Sequence, residues 1–152
     1  MSNVCSIIAL CIILAGCTTF HGLRPIAPDK IAEISNVRPS FQWQPCEKQK
    51  CTYDFILYDR TIRQNVPVPG ATVFYRENLT TPSVELDVDL AYGQSYLWTV
   101  RERYGEKTNS WSTYDFNAYY VLGYVIQRNF LYQLNVVDPK TKKKEGSIGN
   151  PW

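Results

Sequence analysis

Between residues 84 and 90 the chain alternates strictly. Val84, Leu86, Val88 and Leu90 are apolar, and Glu85, Asp87 and Asp89 between them are acidic. Successive side chains of a strand point to opposite faces, so this stretch predicts a strand with one apolar and one acidic face. The same period places Phe41 and Trp43 on one face of Ser40–Gln44, and Tyr96, Trp98 and Val100 on the inward face of a strand running to Tyr104. Asp29–Ile34, Thr52–Asp59 and Ala71–Tyr75 read as further strands, with a turn marked by Pro67 and Pro69-Gly70. No convincing helical spacing interrupts residues 29–115. Short strands at regular spacing predict an all-β domain, a sandwich or a barrel.

The end of that domain departs from a minimal pattern. Trp111–Phe116 is one candidate for the last strand. Asn129–Val137 is the better one, because Phe130, Tyr132, Leu134 and Val136 alternate and Asp138-Pro139 stops them. Residues 105–128 then form an aromatic insertion containing Trp111, Tyr114, Tyr119, Tyr120 and Tyr124. Part of it is a candidate short helix, since Tyr119, Leu122 and Ile126 share helical spacing. Long loops in compact domains are commonly functional or disordered, and this one is too aromatic for disorder.

The chain begins differently. Ile7–Ala15 is an apolar run of about ten residues, against roughly 20 needed to span a bilayer, and it ends in Leu14-Ala15-Gly16-Cys17. That tetrapeptide resembles the lipobox of bacterial lipoproteins. The resemblance implies a signal peptide over residues 1–16, cleavage before Cys17 and lipid attached to the Cys17 thiol. The early Lys or Arg usual in signal peptides is missing. Because two or three acyl chains anchor firmly where one does not, Cys17 would be a lasting attachment to a membrane. Thr18 rather than Asp follows it, which by the same resemblance implies the outer membrane, facing the periplasm, over the inner one. Residues 17–28, with Gly22, Pro25 and Pro28, read as a lipidated N-terminus and tether.

Composition and cysteines fit export. Sixteen Lys and Arg against fourteen Asp and Glu leave a net charge of +2, too near neutrality for nucleic acid as the main partner. Cys5 and Cys11 leave with the signal and Cys17 takes lipid. Cys46 and Cys51 remain, bracketing a polar turn. A disulfide between them is expected in an oxidising compartment. Zinc would need more ligands than the single histidine, His21, offers, and a redox pair would be spaced Cys-x-x-Cys.

Phe41-Gln-Trp43-Gln-Pro45, Tyr53–Tyr58 and the run from Leu90 to Tyr96-Leu-Trp98-Thr-Val100 together resemble a fibronectin type III domain, an immunoglobulin-like antiparallel β-sandwich. The resemblance covers residues 29–137. It implies that Trp43 and Trp98 are core residues and that Tyr96 forms a tyrosine corner, its hydroxyl bonded to upstream backbone. Arg101-Glu-Arg103 followed by Trp111-Ser112 resembles half of the Trp–Arg ladder of cytokine receptors, which implies a structural cation–π contact.

Candidate chemistry is sparse. A Ser/His/Asp or Cys/His mechanism needs a histidine in the folded domain, and His21 falls in the tether. There is no Gly-rich phosphate loop or HExxH motif. Glu85, Asp87 and Asp89 read as a solvated face. Asn78-Leu-Thr80 reads as a chance triplet, and Lys140–Lys144 as part of a basic, flexible tail over residues 138–152. The expectation is a non-catalytic protein without metal or cofactor, held at the membrane by its lipid and partnered by another envelope protein. The alternative is recognition of a glycan or another surface molecule through exposed aromatics. The insertion either covers an open sheet edge or forms a binding surface.

Overall fold

The computed structural model describes residues 18–47, 50–116, 120–121, 124–125 and 129–141. Residues 1–17, which include the expected signal peptide and Cys17, lie outside these, as do Tyr119, Leu122, Ile126, residues 142–152 and the side chains of Tyr120 and Tyr124. The fold is all-β. Its strands are β1 (Thr18–His21), β2 (Pro25–Ala27), β3 (Ile31–Ile34), β4 (Ser40–Trp43), β5 (Thr52–Arg63), β6 (Val66–Leu79), β7 (Ser83–Glu85), β8 (Ser95–Tyr104), β9 (Lys107–Thr108), β10 (Thr113–Phe116), β11 (Tyr120–Val121), β12 (Tyr124–Val125), β13 (Asn129–Phe130) and β14 (Tyr132–Val136).

Two sheets make a sandwich-like body. One has the order β2-β4-β7; the other runs β3-β14-β8-β5-β6, antiparallel except for the β3–β14 pair, with β9 on β8. The expected alternation builds the core between them. Phe41 from the small sheet lies 4.8 Å from Phe55 and 5.0 Å from Trp98 of the large one, and Trp43 stacks on Phe55 at 5.9 Å. Trp43, Phe55, Leu57, Trp98 and Val100 are fully buried. Rings of this size dominate core energetics by the apolar area they remove from water. Tyr96 is buried, and its hydroxyl accepts the Ala91 N–H at 2.9 Å.

Three boundaries differ from expectation. Regular pairing of β7 stops at Glu85, yet Leu86 and Leu90 still bury and Glu85, Asp87 and Asp89 still face solvent, so the alternation outlasts the strand. Asp87 pairs with Arg76 and Asp89 with Arg38 on that wet side. Pro67 and Pro69-Gly70 do not form a turn: they lie within β6, the edge strand of the large sheet, where a missing N–H costs no ladder bond. The turn is Gln64-Asn65, both at positive φ, as a tight two-residue hairpin requires. A side chain at Gly70 would meet Asp59 Oδ1 at 2.0 Å, so that glycine serves close cross-strand approach. The described residues of the insertion form β9 to β12, while Tyr119, Leu122 and Ile126, which carried the helical spacing, lie outside the described residues.

Cys46 and Cys51 form a disulfide between β4 and β5. The Tyr53 hydroxyl accepts the Cys46 N–H at 3.0 Å beside it. Asp138 opens the tail by accepting the Lys140 N–H, with a helical turn following at residues 139–141.

Candidate functional site

The position of the last strand is filled in two parts. Antiparallel to β8, residues 107–112 line its edge from Tyr104 back to Val100: Lys107 pairs with Tyr104, and the Asn109 and Ser112 N–H groups donate to Glu102 and Val100. At Ser112 the chain leaves the sheet. It returns at Tyr132, opposite Trp98, and continues along the same edge as β14. Of the first candidate only Trp111 and Ser112 lie at this edge, since Thr113–Phe116 is β10 of another sheet; the second supplies β14, and an excursion over residues 113–131 separates them.

The excursion is held by the N-terminal segment. β1 pairs antiparallel with β10 in the register Thr18–Phe116 to His21–Thr113, and β10 pairs with β13. The segment expected to be a tether is thus folded from Thr18 onward, and His21 belongs to the domain. Its Nε2 lies 2.7 Å from Oδ2 of Asp115, a residue only 4% exposed. Composition misled at Gly22, whose glycine answers to contact rather than looseness. Gly22 sits at φ +87°, and a Cβ there would lie 2.6 Å from Ser112 Oγ.

Leu23 is the joint. It is buried; its N–H donates to Ser112 Oγ at 2.8 Å and its carbonyl accepts from the Tyr132 hydroxyl at 2.6 Å. Ser112 and Tyr132 are the two roots of the excursion, so one N-terminal residue is bonded to both. Burial pushes the Tyr132 hydroxyl's pKa far up, which keeps it a donor. Each such bond contributes about 1 kcal/mol net, and orphaning its buried partner costs about 1–3 kcal/mol. An aromatic row packs the joint onto the core: Trp98 to Tyr132 at 4.7 Å, Tyr132 stacked on Tyr114 at 6.1 Å, and Tyr114 to Phe130 at 5.8 Å. Phe20 of β1 lies 6.4 Å from Tyr132 and 6.5 Å from Tyr114.

Two of the candidate binding rings lie in this region. Tyr114 is buried, and burial raises its pKa. It packs among Phe20, Phe130 and Tyr132. Trp111 is half-buried, with the Arg101 guanidinium 4.4 Å from its ring centre. Arg101 also donates to Asp54 at 2.9 Å, so the ring is tied to the sheet. Tyr120 and Tyr124 fall on β11 and β12.

Asp54 is the charged centre that the periodicity missed. It lies on the outer face of β5, fully buried, bonded by Arg101, bidentately by Arg103 at 2.9 and 3.0 Å, and by the Asn78 N–H at 3.2 Å. Burial works to raise its pKa; the Arg103 and Arg101 hydrogen bonds, the Asn78 amide and the Arg103 charge outweigh it, and the carboxyl stays below its ordinary value. The acid at position 54 and the arginines at 101 and 103, facing each other across two antiparallel strands, were the signal available.

No family model, curated protein or solved structure matches the chain.

A cleft of about 520 Å³ opens beside the joint, lined by Val66, Pro67, Pro69, Leu97, Phe130 and Gln133 among others. Among the described residues its lining carries no carboxylate, imidazole or thiol. Among the described residues no group of three His, Cys, Asp or Glu side chains gathers to hold a metal.

Proposed function

We propose that the protein is a lipid-anchored, non-catalytic envelope lipoprotein whose β-sandwich serves as an interaction or assembly module. The carrying observation is the place of β1. It starts at Thr18, one residue after the cysteine that resembles a lipidation site, and it is bonded into the domain over its whole length. Lipid on Cys17 would hold the sandwich against the bilayer in a set orientation, facing the periplasm from the outer membrane. The Cys46–Cys51 disulfide supports an oxidising compartment.

We read the sandwich as fibronectin type III-like. The strand orders β2-β4-β7 and β3-β14-β8-β5-β6 and the bond from the Ala91 amide to the Tyr96 hydroxyl support that type; the split last strand departs from it. An envelope protein is the proposed partner. The glycan alternative loses ground because Tyr114 is buried and Trp111 is capped by Arg101.

The test uses the full chain expressed with radiolabelled palmitate in a Gram-negative host. Label should enter the protein and be lost in Cys17→Ser. Cross-linking in intact cells, followed by capture from solubilised membranes, should then recover a second envelope protein. Reproducible recovery of the protein alone would count against the assembly role, and unlabelled wild type against the anchor.

A further inference from the structure

The β5–β6 hairpin outruns its sheet. β8 pairs with β5 only from Thr52 to Asp59. Residues 60–63 and 66–69 therefore pair with each other and, among the described residues, with no third strand. A lone two-stranded ribbon is marginally stable in water unless it packs against something else. Here an apolar surface lies opposite. Val66, Pro67, Val68 and Pro69 line the cleft of about 520 Å³ together with Leu97, Phe130 and Leu131 of the body. Leu97 alternates with the inward-facing Tyr96 and Trp98, so the ribbon bends back over the outer face of the large sheet.

The base of the ribbon is built to bend. The β5–β6 ladder shifts register between Leu57 and Tyr58 and again between Tyr58 and Arg60, and bulges of this kind bend and twist a strand. At the second shift Gly70 lets side chains close over the backbone: a Cβ there would meet Asp59 Oδ1 at 2.0 Å and Thr61 Oγ1 at 2.6 Å. Asp59 Oδ1 and Arg60 Nε are buried here without a hydrogen-bond partner. Buried polar atoms are ordinarily paired, so a joint with two orphans has little hydrogen bonding to lose when it turns.

We infer that residues 60–69 form a flap, hinged at Asp59, Arg60 and Gly70, that closes the cleft by laying Val66 and Val68 against Phe130 and Leu131. The drive is the removal of two facing apolar walls from water. Charge does not oppose the movement, because among the described residues no side chain lining the cleft is charged. Ile62, 51% exposed, stays on the solvent side of the flap. Open, the molecule presents an apolar cleft; closed, it hides one. The flap is independent of the lipoprotein reading.

Disulfide trapping tests it. The full-length protein carrying Val66→Cys with Leu131→Cys is treated with a mild oxidant, and the peptide bridging positions 66 and 131 is timed by mass spectrometry. Ile62→Cys with Leu131→Cys is the reference from the ribbon's solvent side. Closure predicts that the first bridge forms at least tenfold faster than the second. Equal rates, or no bridge between 66 and 131, would overturn the flap. Gly70→Val crowds Asp59 and Thr61 and should slow the first bridge at least threefold; an unchanged rate would overturn the hinge. A measurement without substitutions covers a variant that fails to fold. In the unaltered protein, nuclear Overhauser contacts should join the Val68 methyls to the Leu131 methyls and the Phe130 ring. Their absence, with the Tyr114–Phe130 contact visible as the internal control, would also overturn closure.

Discussion

The two halves of this molecule are held together by different means. The sandwich is closed by rings: Trp43, Phe55 and Trp98 are fully buried within 6 Å of one another or of Phe41. The small sheet of β1, β10 and β13 rests its rings on Tyr132 and adds single polar contacts between residues about 90 or more positions apart, His21 with Asp115, Leu23 with Ser112 and Leu23 with Tyr132. Apolar burial is additive and tolerant of small shifts, whereas a lone buried hydrogen bond is all or nothing. The sandwich should therefore carry global stability, and the small sheet should open locally while the rest stays folded.

The largest test of that division is Trp98→Ala. It removes the ring that touches Phe41, Phe55 and Tyr132, and should cost about 4 kcal/mol in equilibrium unfolding, with both sheets lost together. A loss confined to β1 would show that Trp98 holds the small sheet and not the sandwich.

Asp54→Asn comes next, at about 2 kcal/mol near neutral pH, since it weakens charge-assisted bonds to a buried group. The sign with pH follows from the depressed pKa. The contribution of Asp54 is full above the unfolded carboxylate value of about 3.9 and disappears as pH falls through the lower folded value. Urea midpoints of wild type should drop over that acid range, and those of the Asn variant should drop less. Parallel curves would remove Asp54 from the account.

Ser112→Ala leaves the buried Leu23 N–H without its acceptor and should cost about 1.5 kcal/mol. Its effect should be seen first as faster proteolysis and amide exchange in β1, with β5 and β8 unchanged. His21→Ala is the smallest, about 1 kcal/mol: it takes a hydrogen-bond partner from the buried Asp115 carboxylate, but half of the His21 side chain is exposed and water can replace it. It should raise exchange in β1 without moving the global midpoint.

Legibility in the sequence followed the same line. Phe41, Trp43, Tyr96, Trp98, Val100 and the series Tyr132, Leu134, Val136 could be read because burial on one strand face leaves a period of two. The turn at Gln64-Asn65 could not, since it uses no glycine and the nearby prolines draw attention to an edge strand that accepts them. β1 escaped because Thr-Thr-Phe-His is too short for periodicity and is followed by Gly22 and Pro25, which look like linker. Its partners stand on the far side of the chain, and hydrogen bonds at such separation leave no local pattern. Asp54 was passed over for a related reason: a polar residue on a strand's outer face looks solvated until the two arginines opposite close over it.

The residues directly after Cys17 are part of the folded domain, and under the proposed function they would carry its anchor rigidly. Hydrogen exchange read by mass spectrometry on the mature protein, purified from membranes, addresses it through the peptide beginning at Cys17 and covering β1. The account predicts that this peptide bears the lipid mass and exchanges slowly, with protection comparable to β10. A peptide that exchanges at the rate of free chain while β8 remains protected would contradict it, and would return residues 18–28 to the status of a loose tether.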